Sequence, residues 1–127
     1  MALKSFADVK AFLNQVLQDN GELDDTVNVA PHAAWWNNLS YSDFVNGNVP
    51  GVADPNTNQP IKTLVVGKSK ESNIILALQG APGTIFDPNP ADPNFATFGR
   101  MPADGKAFFS DVQIKELADW IDAGCPE

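Results

Sequence analysis

Cysteine and histidine are almost missing from this sequence: Cys125 and His32 are the only ones in 127 residues. A lone cysteine excludes an internal disulfide and any Cys-rich zinc or iron–sulfur site. Catalytic devices built on a Cys–His pair are restricted to these two residues, and Cys125 sits in a Gly124-Cys125-Pro126 turn unsuited to a protease-like dyad. Positive charge is scarce too. Eight Lys/Arg stand against 16 Asp/Glu, a formal net charge of −8. Phosphate backbones and anionic lipid repel such a chain, which points away from nucleic acid and membranes and toward a protein partner with a basic patch, or a bound cation. No apolar run approaches the roughly 20 residues that span a bilayer. The opening Met1-Ala2-Leu3-Lys4-Ser5-Phe6 lacks the basic-then-apolar build of a secretory signal. As given, the chain reads as cytoplasmic, or as periplasmic if a signal has been removed.

What is present suffices for one modest core. Hydrophobic residues make up 43% of the chain, with eight Phe and three Trp among them. That apolar mass offsets ordering entropy and predicts one folded domain over residues 1–127. Ser5 and Asp8 form a capping pair ahead of Phe6, Val9, Phe12, Leu13, Val16 and Leu17 at helical spacing, with Asn20-Gly21 as the stop. Pro31 opens a short helix from Ala33 to Leu39. Ser40 or Ser42 caps another, containing Phe44 and Val45. From Val49 to Pro60 the residues are those of turns. Ile61 to Val66 reads as a short strand or an extended buried connector. Ser69 or Ser72 caps a helix whose Ile74, Ile75, Leu76 and Leu78 face the core before Gly80. A proline-rich loop from Ala81 to about Phe109 is long enough to be functional or to wrap around something. Ser110 with Gln113 caps the final helix, where Ile114, Leu117, Ala118 and Ile121 keep the helical stripe. Alternating strands are not evident, so the predicted class is all-α with long Pro/Asn/Asp-rich loops.

The order of these elements resembles a class I cytochrome c. The likeness is specific in Arg100-Met101-Pro102-Ala103-Asp104-Gly105, in Phe109-Ser110-Asp111, and in the closing Ala118-Asp119-Trp120-Ile121-Asp122-Ala123-Gly124. It implies a cytochrome c-like fold in which the first and last helices cross, and it implies that Met101 is the sixth ligand of a haem iron. Members of that family attach haem through Cys-x-x-Cys-His just after the first helix. Here the corresponding run is Asn28-Val29-Ala30-Pro31-His32, with its histidine present and both cysteines absent. Thioether attachment at that site is therefore impossible.

His32 and Met101 are the site candidates. His32 is either an axial ligand, as the resemblance implies, or a histidine hydrogen-bonded through one ring nitrogen at a helix start. Met101 is either the opposite ligand or an adaptable core filler. A small metal site using His32 with Met101 or nearby oxygens is a further option. An empty haem-sized hole would cost many kcal/mol at about 24 cal/mol per Å3. Trp35 and Trp36, followed by Tyr41 and Phe44, either fill that space or line a pocket for noncovalent haem; filling is the leading reading. The run Asp87-Pro88-Asn89-Pro90-Ala91-Asp92-Pro93-Asn94 echoes Ala53-Asp54-Pro55-Asn56. Asx-Pro turns explain it without calcium, whose loops need six to eight oxygens at other spacings. Gly80-Ala81-Pro82-Gly83 is a turn without the Lys-Ser/Thr ending of a nucleotide loop. No nucleophile–base pair or carboxylate dyad is present, so no enzymatic activity is expected. The sequence predicts a haem-free binding or accessory module, docked on a redox enzyme through its acidic surface. The alternative is an electron carrier holding haem noncovalently between His32 and Met101.

Overall fold

The computed structural model describes residues 3–19, 39–101 and 109–127. Helix α1 covers Phe6–Asp19, α2 Tyr41–Asn46, α3 Asn73–Gln79 and α4 Asp111–Asp122. Strands β1 (Asn48–Ala53) and β2 (Pro60–Lys62) pair antiparallel, and a 3-10 turn spans Ser69–Glu71. Among the described residues no helix is long and apolar enough to cross a membrane.

Side-chain caps start three of the helices. The Asp8 amide donates to Ser5 Oγ at 3.1 Å, and the Lys4 amide to Asp8 Oδ2 at 3.0 Å. Ser40 Oγ accepts from the Asp43 amide at 3.1 Å. Ser110 and Gln113 form a reciprocal box at 3.2 and 2.8 Å. Each cap satisfies amides that a first helical turn leaves without partners. Ser72 precedes α3 but caps nothing with its side chain. Its hydroxyl instead accepts from the Val65 amide and reaches the Lys68 carbonyl at 2.9 Å, tying the incoming connector down.

The all-α expectation is wrong. Val49 to Pro60, read as turn chemistry, falls within a hairpin over 48–62 with its own two-stranded sheet, whose second strand takes in Ile61 and Lys62 from the segment read as a short strand or connector. Its tip explains why the sequence misled. The Asp54 amide donates to the Gln59 carbonyl and the Asn58 amide to the Asp54 carbonyl, both at 2.8 Å. Asn58 adopts the left-handed φ of 61° that a longer hairpin loop requires. Asn48 pairs with Lys62 and Ala53 with Pro60, so β1 carries extra residues and bulges. A two-stranded ribbon tolerates Pro50 and Pro60 because each strand has an outer edge that needs no ladder donor.

One cluster of buried side chains joins the helices. From α1 come Phe6, Val9, Leu13 and Val16; α2 adds Phe44 and Val45; α3 adds Ile75 and Leu78. Helix α4 contributes Ile114, Leu117, Trp120 and Ile121, the stripe expected from their spacing. Of the four α3 positions expected in the core, Ile75 and Leu78 are buried, and Ile74 packs against the cluster while partly exposed. Phe44 of α2 links α1 to α4. The Phe44 ring lies 5.0 Å from Phe6 and 6.3 Å from Trp120, centroid to centroid, and Phe12 stands edge-on to Phe109 at 6.2 Å. The expected Gly21 stop of α1, the helix from Ala33 and the segment Asn28 to His32 lie outside the described residues.

Candidate functional site

The junction around Met101 is built by the end of α3. A helix leaves its last carbonyls without intrahelical donors. Here Leu76 O accepts from the Ala81 amide at 3.1 Å, while Ala77 O accepts from the Met101 amide at 2.9 Å. Leu78 O accepts from Arg100 Nε at 2.9 Å. The same guanidinium donates through Nη2 to the Phe109 carbonyl at 3.2 Å, just ahead of α4. Arg100 lies across Gly80, which has a φ of +60°; a Cβ there would stand 2.8 Å from Arg100 Cβ. The chain thus leaves α3 at Gly80 and returns to it at Arg100-Met101. Met101 itself is half-buried.

Residues 81–99 form a closed excursion with a small core of its own. Phe86 is buried and lies 6.0 Å from the Phe98 ring. Beneath it Asp87 uses both oxygens, Oδ2 on the Gly83 amide and Oδ1 on the Asn89 amide, at 2.9 and 2.8 Å. Those two N–H groups hold its carboxyl below the usual carboxylate range, the Gly83 bond contributing most. Asp54 and Asp92 make the same turn: each Oδ1 accepts from the amide two residues on, at 2.7 and 2.9 Å. The Asx-Pro reading of these loops therefore has a direct counterpart in the fold. Asn56 then joins hairpin to loop, its amide group donating to Ala96 O at 2.9 Å while Ala96 N donates back to Asn56 Oδ1 at 2.8 Å.

Cys125 closes the opposite end. It is fully buried, with a left-handed φ of 54°, and its amide donates to Trp120 O at 3.1 Å. The Tyr41 hydroxyl donates to the Cys125 carbonyl, and Trp120 Nε1 to Pro126 O at 3.0 Å. Burial pushes the thiol up to about 11, with the Gly67 amide pulling the other way. At the end of α4, Asp122 accepts from both the amide and the hydroxyl of Ser69 at 2.9 Å. The amide bond is the larger cause of its lowered pKa, and the charges of Lys70 and Lys115 act in the same direction.

His32, Trp35 and Trp36 lie outside the described residues. Tyr41 and Phe44, expected beside them, are engaged elsewhere: Phe44 is core, and Tyr41 binds the C-terminal turn. Haem attachment through Cys-x-x-Cys-His does not fit this chain. It needs two cysteines, and the single one is sealed under α4 with its Sγ directed at the Ile121 carbonyl. Among the described residues no three or more His, Cys, Asp or Glu side chains gather as a metal site would require. Sequence reasoning quoted Arg100 as part of a motif and gave it no task. The signal was available, since Arg100 is the only arginine in the chain. Comparison with protein-family models, with curated proteins and with solved structures finds no match.

Proposed function

We propose that this chain is a non-enzymatic, haem-free binding module, and that it docks on a larger protein through its acidic surface. The resemblance to class I cytochromes c, carried by Arg100 to Gly124, makes a redox enzyme the partner class to test. The observation that supports the haem-free reading most is the ring series Phe6, Phe44 and Trp120. Side chains fill the space between α1, α2 and α4, and a close-packed interior admits a porphyrin only if part of it opens. The net charge of −8 and the exposed carboxylates of Asp43, Glu71, Asp111, Asp119 and Asp122 support a partner with a basic patch.

A second reading keeps His32 and Met101 as the two axial ligands of a noncovalent haem. It is favoured by the anchored backbone of Met101, a half-buried residue whose amide bonds the Ala77 carbonyl. Bound haem would supply one-electron chemistry, with thioether and imidazole ligation raising its potential. Titrating the purified protein with hemin while following the Soret band separates the two. The haem-free module gives only weak, unsaturable binding that His32→Ala leaves unchanged. Stoichiometric, His32-dependent uptake overturns it in favour of the carrier.

A further inference from the structure

The chain's only arginine is spent on two main-chain carbonyls beside the junction of Met101 with α3. Arg100 Nε and Nη2 reach Leu78 O and Phe109 O, so one planar fork spans the last turn of α3 and the residue that leads into α4. The next amide, that of Met101, takes the adjacent carbonyl of Ala77. Two consecutive residues thereby cap two consecutive helix carbonyls from across a long loop. A cation at a helix C-terminus is also favoured by the helix dipole. Gly80 makes room for the fork, because any side chain there would meet the Arg100 stem at 2.8 Å. Lysine can donate to more than one carbonyl but has no fixed planar fork, so it holds this pair less rigidly.

We propose that Arg100 is the positioning residue of the Met101 site: it ties the main chain that carries Met101 to the end of α3 and to Phe109, so that Met101 is presented by the backbone. Gly80 is the second half of this lock. Arg100 performs the task with or without a ligand on Met101, so failure of the haem titration and failure of the lock are separate results.

Peroxide oxidation followed by peptide mass spectrometry tests it, because the chain has two methionines and Met1 serves as the internal reference. Sulfoxide formation follows exposure of the sulfur. In Arg100→Gln, shown to be folded by its near-UV circular dichroism, Met101 should oxidise several-fold faster relative to Met1 than in the unaltered protein. Arg100→Lys should recover only part of the protection. A folded Arg100→Gln with the unaltered Met101-to-Met1 ratio overturns the lock. Should that variant not fold, Gly80→Ala displaces the same fork and should raise the ratio likewise; an unchanged ratio there overturns it equally. Hydrogen exchange on the unaltered chain reads the lock directly. The Met101 amide should be protected, and exchange at the free-peptide rate overturns the assignment.

Discussion

Around Trp120 the chain is held by rings and branched aliphatics, with Phe6, Phe44, Leu117 and Ile121 packed from three helices. Around Asp87 it is held by carboxylates, hydroxyls and one guanidinium, nearly all bonded to main-chain groups. The two regions differ in what fails when they are disturbed. Apolar packing is shared among many neighbours, so losing one large side chain weakens every helix that touches it. A side-chain-to-backbone bond serves one turn, and its loss frees that turn while the core stays closed. The helical core sets global stability, and the loop bonds set where residues such as Met101 stand.

The largest effect expected is on the core. Trp120→Ala should lower global stability by about 3–5 kcal/mol, measured by denaturant unfolding. A change within about 0.5 kcal/mol would place Trp120 among surface substitutions and break the contrast. Among the described residues the core has one polar defect, which reverses the sign. Thr63 is fully buried and its Oγ1 has no partner among them. An unsatisfied buried hydroxyl costs about 1–3 kcal/mol, so the isosteric Thr63→Val should stabilise the fold by roughly 1 kcal/mol. A loss of stability would mean that the hydroxyl is bonded in solution.

How much of this was legible in the sequence follows the same division. Caps and stripes are local, and Ser5 with Asp8, Ser110 with Gln113, and the Ile114 to Ile121 spacing announced α1 and α4. The Asp-Pro-Asn turns were equally readable, because each carboxylate bonds an amide two residues away. The hairpin was not. Its strands contain Pro50, Gly51 and Pro60, residues of turns, and what makes them strands is mutual pairing across the tip. Arg100 was hidden for a related reason: its task exists only once residues 81–99 have returned the chain to α3. Of the candidate site, Met101 is located, while His32, Trp35 and Trp36 fall outside the described residues.

Acid should act on the polar region selectively. Asp87 and Asp122 have lowered pKa values in the folded chain, from an ordinary 3.8. Their contribution is therefore full above that value and fades as pH falls through the lower folded values. In an NMR titration the amides of Gly83, Asn89 and Ser69 should lose protection before those of α4, Trp120 among them, report core opening. Simultaneous loss would show that the two regions unfold as one. The smallest effect belongs to the staple between hairpin and loop. Asn56→Ala removes two exposed bonds to Ala96 and should cost about 0.5–1 kcal/mol or less. Faster exchange at the Ala96 amide, with the α4 amides unchanged, is the expected signature.

Cys125 gives the chain a built-in probe of local opening. The thiol is sealed by the Tyr41 and Trp120 bonds to the last turn, and it stays protonated up to about 11. A thiol reagent at neutral pH therefore finds no thiolate until that turn detaches, and labelling proceeds at the reagent's intrinsic rate scaled by the fraction of time spent open. With a single cysteine in the sequence, the colour or mass change comes from one place. The C-terminal turn thus reports the fraction of time it stands open, residue-specific and without any engineered label.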